Sequence, residues 1–435
     1  RDNLETHILH GYIRDPIEPV TNSRQAIVDT YVPAGSHSFT VKSAASYKAG
    51  DRILVHRPST ANWIQSIGCD DRLGSSWRKV ANPRRAKDGE APGFYYRKSK
   101  DSYSKWCIRQ NPSESWEDFV KRVPLNEKGQ FHWRNAWNPG EYDFYFERRI
   151  TGIKGNRITI DAPIVHSMDQ EFGGGAIYHY ETPDRVMEVG IEDLRRISEF
   201  AAPAPAHPYG PLEEAGRAEN HAWNGVQIKS NTENKWVRNV TGNYFGFSLV
   251  SAAGKRATVQ DCVSLGHASK INGARRYTFM INGQLNLVQR CLTYEGRHEF
   301  VTQEKTAGSN VFVDCLGLNS KSVAGPHHRY SVGTLFDNMK SGQFMESRFR
   351  GGGHGWAGTQ TCFYNCIAPE FRVKAPPGGI SWVIGSGKND EEGTRVTPAS
   401  LYYQQVQDRL GRGALDRLAT EEQRKHLGKY LWVKE

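Results

Sequence analysis

The sequence predicts an all-β chain: a single-stranded, right-handed parallel β-helix (a solenoid), carrying a basic Trp-rich insertion and a C-terminal helical cap. Three observations predict it. First, one short phrase returns through 236–366: Val259-Gln-Asp-Cys262, Val288-Gln-Arg-Cys291, Phe312-Val-Asp-Cys315, Leu335-Phe-Asp-Asn338 and Phe363-Tyr-Asn-Cys366, with Val237-Arg-Asn-Val240 a weaker first copy. Second, the closing residues of the copies lie 22, 29, 24, 23 and 28 residues apart. That period suits stacked solenoid rungs, and is too short for propeller blades of about 40–45 residues. Third, the chain is only 37% hydrophobic with 43 Gly in 435 residues, as thin strands joined by many turns require. Stacking then aligns Cys262, Cys291, Cys315, Asn338 and Cys366 as an internal column.

In chain order, residues 1–68 hold short strand-like runs at 25–32, 38–41 and 52–56, punctuated by Pro and Gly. The run opening at Gly50 and the later Gly155-Asn-Arg-Ile-Thr-Ile-Asp-Ala-Pro163 read as the first rungs of the solenoid. Residues 69–145 break the rhythm. Residues 69–137 carry 15 Lys/Arg against 9 Asp/Glu, with Trp77, Trp106, Trp116, Trp133 and Trp137. They read either as a groove wall of aromatic sugar platforms and cations, or as an excursion packed on the rungs. Strands return from Ile150, a Pro/Ala-rich loop covers 201–216, and regular rungs run over about 220–387. The β-helix domain is therefore placed at 1–394 and a helical tail at 395–435. In the tail, 400–410 and 420–427 are helical by apolar spacing, positioned to cover the last rung's unpaired edge.

A net charge of +10 calls for an anionic partner. No nucleic-acid-binding motif is present, so an acidic polysaccharide is the expected partner rather than nucleic acid. Of the seven Cys, four belong to the column, and Cys69 and Cys107 are candidates to pair in an oxidising compartment. No Cys/His spacing suggests zinc, and no apolar run is long enough to span a membrane. The chain opens at Arg1 without a leader stretch and reads as mature or trimmed.

Fourteen residues after Cys262, Cys291 and Cys315 stand Arg276, Lys305 and Arg329, a row of cations that an anionic ligand would neutralise. Counting back from the next column residue puts Asn282 in the first place of that row. Near it fall His298, His327, His328 and His354, with Tyr277, Tyr330 and Trp356. Imidazoles beside Arg and Tyr suit β-elimination of a uronate: a cation neutralises the carboxylate, a His or Tyr takes the C5 proton, another group protonates the leaving oxygen. His328 or His298 is the expected base, Tyr330 the acid or partner base, and Arg329 with Asn282 the neutraliser. Arg276, Tyr277, Lys305, His327, His354 and Trp356 are expected to bind substrate. A glycosidase would instead need a carboxylate pair about 5–9.5 Å apart; Glu295, Glu299, Glu304 and Glu346 are free for that role but no pair stands out, and Glu299 or Glu304 would be the substitution that tests it. A non-catalytic glycan-binding spike is the third reading. No metal or cofactor is expected; calcium would want an acidic cluster, and none stands out.

Asn220-His-Ala-Trp-Asn-Gly225, Arg275-Arg-Tyr277, Gly296-Arg-His-Glu-Phe300, Gly325-Pro-His-His-Arg-Tyr330, Gly333-Thr-Leu-Phe-Asp-Asn338 and Gly353-His-Gly-Trp-Ala-Gly358 resemble the pectate-lyase-like right-handed parallel β-helix proteins of secreted bacterial carbohydrate metabolism. The likeness covers about 150–387. It implies a polysaccharide lyase acting outside the cytoplasm, extracellular or periplasmic, and a monomer rather than the trimer usual for spikes. The acid trio that binds calcium in true pectate lyases is not evident, which points away from pectate to another polyanion.

Overall fold

The computed structural model describes residues 19–69, 79–80, 95–97, 103–104, 137–199, 221–350, 354–388 and 395–421. Most of the basic insertion, with Cys107 and four of its five Trp, lies outside them, as do 422–435.

The chain is a parallel β-helix from Gly190 onward, right-handed as parallel crossovers are. Each rung has three sides. The first side builds a seven-stranded parallel sheet from Asn224–Ile228, Ser248–Ala252, Phe279–Ile281, Phe300–Thr302, Val323–Pro326, Phe344–Ser347 and Phe371–Val373. The second side runs from Gly190–Ile197 through Trp236–Asn243, Thr258–Gln260, Leu287–Gln289, Ala307–Val313, Ser331–Asp337 and Gly358–Tyr364 to Trp382–Ile384. The third is a ladder of short strands, Val263–Ser264, Leu292–Tyr294 and Leu316–Leu318. Alternation buries every second side chain, so like residues stack down the interior. Phe312, Phe336 and Phe363 are fully buried, with ring centroids 5.1 and 4.9 Å apart in succession. Each such ring contributes about 1.5–3 kcal/mol of burial.

The corner between second and third sides is set by one left-handed residue per rung: Asn239, Asp261, Arg290, Asp314, Asn338 and Asn365, all with φ between 49° and 57°. The residue after each points inward. The column is therefore Val240, Cys262, Cys291, Cys315, Met339 and Cys366. Asn338 pairs with Asn365 and Asp314 in register and belongs to the corner, so its expected place in the column is corrected by one residue. Asp314 accepts from Asn338 Nδ2 at 2.6 Å there.

The segments read as first rungs form a separate unit. Gln25–Ala26, Ala176–His179, Arg52–Arg57, Phe144–Lys154, Arg157–Ile160 and Ser38–Thr40 lie side by side in that order as an antiparallel sheet. The runs at Gly50 and Gly155 are thus not solenoid rungs. This sheet packs its apolar face on the β-helix through Ile53, Phe144, Phe146 and Ile158 against Ala307, Tyr330 and Val332. Arg148, with no exposed surface, reaches across to Gln284 Oε1 at 2.9 Å. A buried ion cluster adds to the join: Glu147 and Glu233 share Arg185 and Lys255.

Helices Leu401–Leu410 and Arg412–Leu418 follow the β-helix. Ser400 caps the first, its Oγ accepting from Tyr403 N. They lie on the flank of the second sheet, packing Tyr403, Val406 and Leu415 against Leu287 and Val313, rather than over the last rung as expected. The last strand, Trp382–Ile384, keeps its side chains exposed. No helix among the described residues is long and apolar enough to cross a membrane.

Candidate functional site

The outer face of the seven-stranded sheet gathers the chemistry-bearing side chains. Register places Tyr277 and His298 in line, two positions before the paired Phe279 and Phe300. On the far side of the strands, Asn282, Gln303, His327 and Arg348 follow the strand ends in successive rungs. The Tyr277 ring lies across the sheet and joins the two rows. Its hydroxyl is hydrogen-bonded to His327 Nε2 at 3.2 Å and receives Arg297 Nη1 at 3.5 Å.

Four imidazoles adjoin it. Ring centroids are 4.9 Å apart for Tyr277–His298, 4.5 Å for His298–His327, 4.0 Å for His327–His328 and 4.3 Å for the parallel His328–His354 pair. His298 is fixed by Nδ1 bonding the Val323 carbonyl at 2.9 Å. Its Nε2, and Nδ1 of both His327 and His328, are buried with no hydrogen-bond partner among the described residues. Burial, and then Arg297, holds His298 well below the ordinary imidazole range; burial, and then His298 and His328, does the same for His327. His328 is pushed down to about 2 by burial, then by His354, Arg329 and Arg350. These rings are therefore neutral acceptors across physiological pH. Burial raises the Tyr277 hydroxyl, and Arg297 opposes the rise.

The remaining predicted residues divide. Lys305 and Arg329 are neighbours in adjacent rungs, Lys305 N donating to the Arg329 carbonyl at 2.8 Å. Arg329 pairs with Glu304 at 3.3 Å. Asn282, half-buried, accepts from Thr306 Oγ1 at 3.3 Å. Arg276 is not in their row: it precedes its strand whereas Lys305 and Arg329 follow theirs. It is fully buried, and its guanidinium donates to the carbonyls of Ser269 and Glu295, a clamp on the corner rather than a ligand contact. Tyr330 points away from the sheet into the apolar join with the antiparallel unit. Its ring is edge-on to Trp63 at 5.0 Å, with His166 Nε2 3.3 Å from its hydroxyl, so it belongs to the join and not to the His cluster where the acid is expected. Trp356 donates Nε1 to the Ile67 carbonyl at 2.8 Å and packs on Phe349, and is likewise part of the join. Trp137 is buried and stacked on Tyr142 at 3.8 Å, as packing on the rungs requires and a sugar platform does not.

Glu295, Glu299, Glu304 and Glu346 are each engaged. Glu299 is fully buried inside the solenoid, accepting from Ser320 and Ser341, and burial raises its pKa. Glu346, beneath the His cluster, is tied to Arg348 at 2.9 Å and Arg350 at 2.5 Å. Neither Glu299 nor Glu304 is half of an open acid pair.

Sequence reasoning missed Trp223, Phe247, Arg275, Arg297, Arg348 and Arg350. Trp223 and Phe247 each stand one residue before the paired strand positions Asn224 and Ser248, a coincidence visible once the strands are registered.

No family model matches the chain, and no curated protein matches it in sequence. Among solved structures it is similar to the tailspike protein gp49 from Pseudomonas phage LKA1, at 11% identity and a TM-score of 0.34, over 81% of this chain and 46% of that one. It is also similar to the Gp54 tailspike of Acinetobacter baumannii bacteriophage AP22, solved in complex with A. baumannii capsular saccharide, at 9% identity and a TM-score of 0.30, over 88% of this chain and 61% of that one. The chain thus spans about half to three-fifths of the length of those proteins.

Proposed function

We propose that the chain binds an acidic, uronate-containing polysaccharide across the outer face of the seven-stranded sheet and cleaves it by β-elimination. The observation that carries this reading is the Tyr277–His327 hydrogen bond set among neutral imidazoles and arginines, with Glu304 and Glu346 each already paired with arginine. Arg297 neutralises the uronate carboxylate as it gains enolate character. A neutral imidazole, His327 or His328, takes the C5 proton. The electron pair forms the C4–C5 double bond, the C4–O bond breaks, and the Tyr277 hydroxyl protonates the departing oxygen. The incoming anion lifts the imidazole basicity that burial and the surrounding cations suppress, so proton transfer becomes feasible only with substrate in place. Lys305 and Arg329 hold further anionic groups of the chain. No metal or cofactor takes part in this scheme, and the protein works outside the cytoplasm as a monomer.

A non-catalytic glycan-binding site is the second reading, favoured by the burial of Tyr277 and His298, 4% and 2% exposed. Incubation with alginate, polygalacturonate, chondroitin sulfate, heparin and ulvan separates the two. Ultraviolet absorbance from the new double bond is expected with at least one, reduced about 10²–10⁴-fold in Tyr277→Phe and His327→Ala. New reducing ends without that absorbance would establish hydrolysis instead. Binding with neither signal would leave the binding module.

A further inference from the structure

The first strand of the solenoid, Gly190–Ile197, pairs with Trp236–Asn243 along one edge, and no strand among the described residues pairs with its other edge. Ile191 and Leu194 stand in register with the buried Val237 and Val240, so they face the interior, yet they are 39% and 38% exposed. Val186, Val189 and Ile197 are exposed beside them. The core is thus open at this end among the described residues. Lysine or proline would guard such an edge against pairing. Here the strand reads Ile191-Glu-Asp-Leu-Arg-Arg-Ile197 instead. About Leu194 its apolar residues are symmetric and its charges antisymmetric, two acids on one side and two bases on the other.

We infer that two copies of the chain join head to head through this edge, their Gly190–Ile197 strands running antiparallel about a two-fold axis. With Leu194 opposite its own copy, Ile191 meets Ile197, Glu192 meets Arg196 and Asp193 meets Arg195, each of them twice. Residues directly opposite on antiparallel strands interact: opposite charges attract there and like charges repel. Within its own copy Asp193 accepts from Asn239 Nδ2 at 2.7 Å, and Glu192 from Trp236 Nε1 and Arg238 Nη2, each at 2.5 Å, so both carboxylates are held in place at the edge. Arg195 is exposed. The strand turns the corner between second and third sides at Asp193, whose φ is 53°. A two-fold axis through that corner lays the second side of one copy on the third side of the other, which keeps the bend in step. Head-to-tail stacking would instead have to use the last strand, Trp382–Ile384, which offers three residues and no charge to these four. A two-fold seam closes on itself and brings the open apolar ends of the two cores together. The inference stands apart from the polysaccharide reading. Each copy keeps a complete site, so the single chain remains the working unit of the proposed chemistry.

The test is sedimentation of the full chain across about 1–100 μM protein. The mass is expected to climb from the 49.0 kDa of one chain to twice that and stop there. Arg195→Glu sets like charges opposite each other at the seam, and Asp193→Arg does the same with the other sign. Each should raise the dimer dissociation constant at least about tenfold. Arginine fits the corner at 193, since Arg290 occupies the same corner further along with φ 51°. A one-to-one mixture of the two variants restores both attractive contacts and should dimerise as the parent does, which also shows that neither is misfolded. A mass fixed at one chain, growth beyond two chains, variants that dimerise like the parent, or a mixture no tighter than its parts would each overturn the head-to-head seam.

Discussion

Replacing Asp337 by Asn should abolish one specific component of the pH dependence of stability. Asp337 has no exposed surface; its Oδ2 accepts from Ser400 Oγ at 2.7 Å and Tyr402 N at 2.8 Å, and so anchors the C-terminal helices to the rungs. Its Oδ1 has no partner among the described residues. Burial, aided by the charge of Asp314 and opposed by those hydrogen bonds, pushes the carboxyl from 3.8 up to about 7. Between these values the folded chain holds a proton that the unfolded chain has lost. Stability from this group is therefore full below about pH 4 and falls as pH rises, until the folded carboxyl ionises near 7. At 1.36 kcal/mol per pH unit the whole loss is about 4 kcal/mol, more than half of which falls between pH 5 and pH 8. Asn keeps an acceptor oxygen and cannot ionise. Urea unfolding of both proteins at pH 5 and pH 8, followed by tryptophan fluorescence, gives the difference directly, since the buried histidines are common to both and cancel. The stability of Asp337→Asn relative to the parent should grow by about 2–3 kcal/mol from the lower to the higher pH. A difference that stays constant would refute the argument that an unpaired buried carboxyl sits under these helices.

Tyr330→Phe removes only the contact to His166 and should cost about 1 kcal/mol of stability with turnover of the polysaccharide unchanged. A fall in kcat beyond tenfold would return Tyr330 to the chemistry. Glu233 is 2% exposed and faces Arg52, Arg185, Lys255 and Arg256 at 3.1–3.7 Å. Glu233→Gln leaves Glu147 alone to balance the buried Arg185 and Lys255, one cation in excess, and should destabilise the join between the two units by about 3–5 kcal/mol, read by denaturant unfolding; a loss under about 1 kcal/mol would mean the cluster is dispensable.

The solenoid was legible because its repeat is physical: each rung must offer the same inward side chain at the same place. The slip at Asn338 shows the limit. Asn is also what a left-handed corner prefers, and a corner Asn followed by Met339 looks in sequence like a column Asn. Arg276 failed for a related reason, since a fixed offset counted through corners of unequal length lands on opposite sides of a strand. The antiparallel unit was misread because strand patterns of two residues' period are the same in parallel and antiparallel partners. Tyr277, His298, His327, His328 and His354 do gather, because their motifs flank the strands directly. Tyr330 does not, although it is two residues from His328. It carries a left-handed φ of 67° following that of Arg329, and the chain there turns from one sheet into the next.

The left-handed corner has an evolutionary consequence. Because one corner of every rung is built alike, register is reset once per turn, and changes in rung length are absorbed at the other two corners. Those are the corners that border the seven-stranded sheet. Loops there can lengthen, shorten or exchange charge without shifting the strands beneath, so a new ligand could be acquired without disturbing the scaffold that presents it.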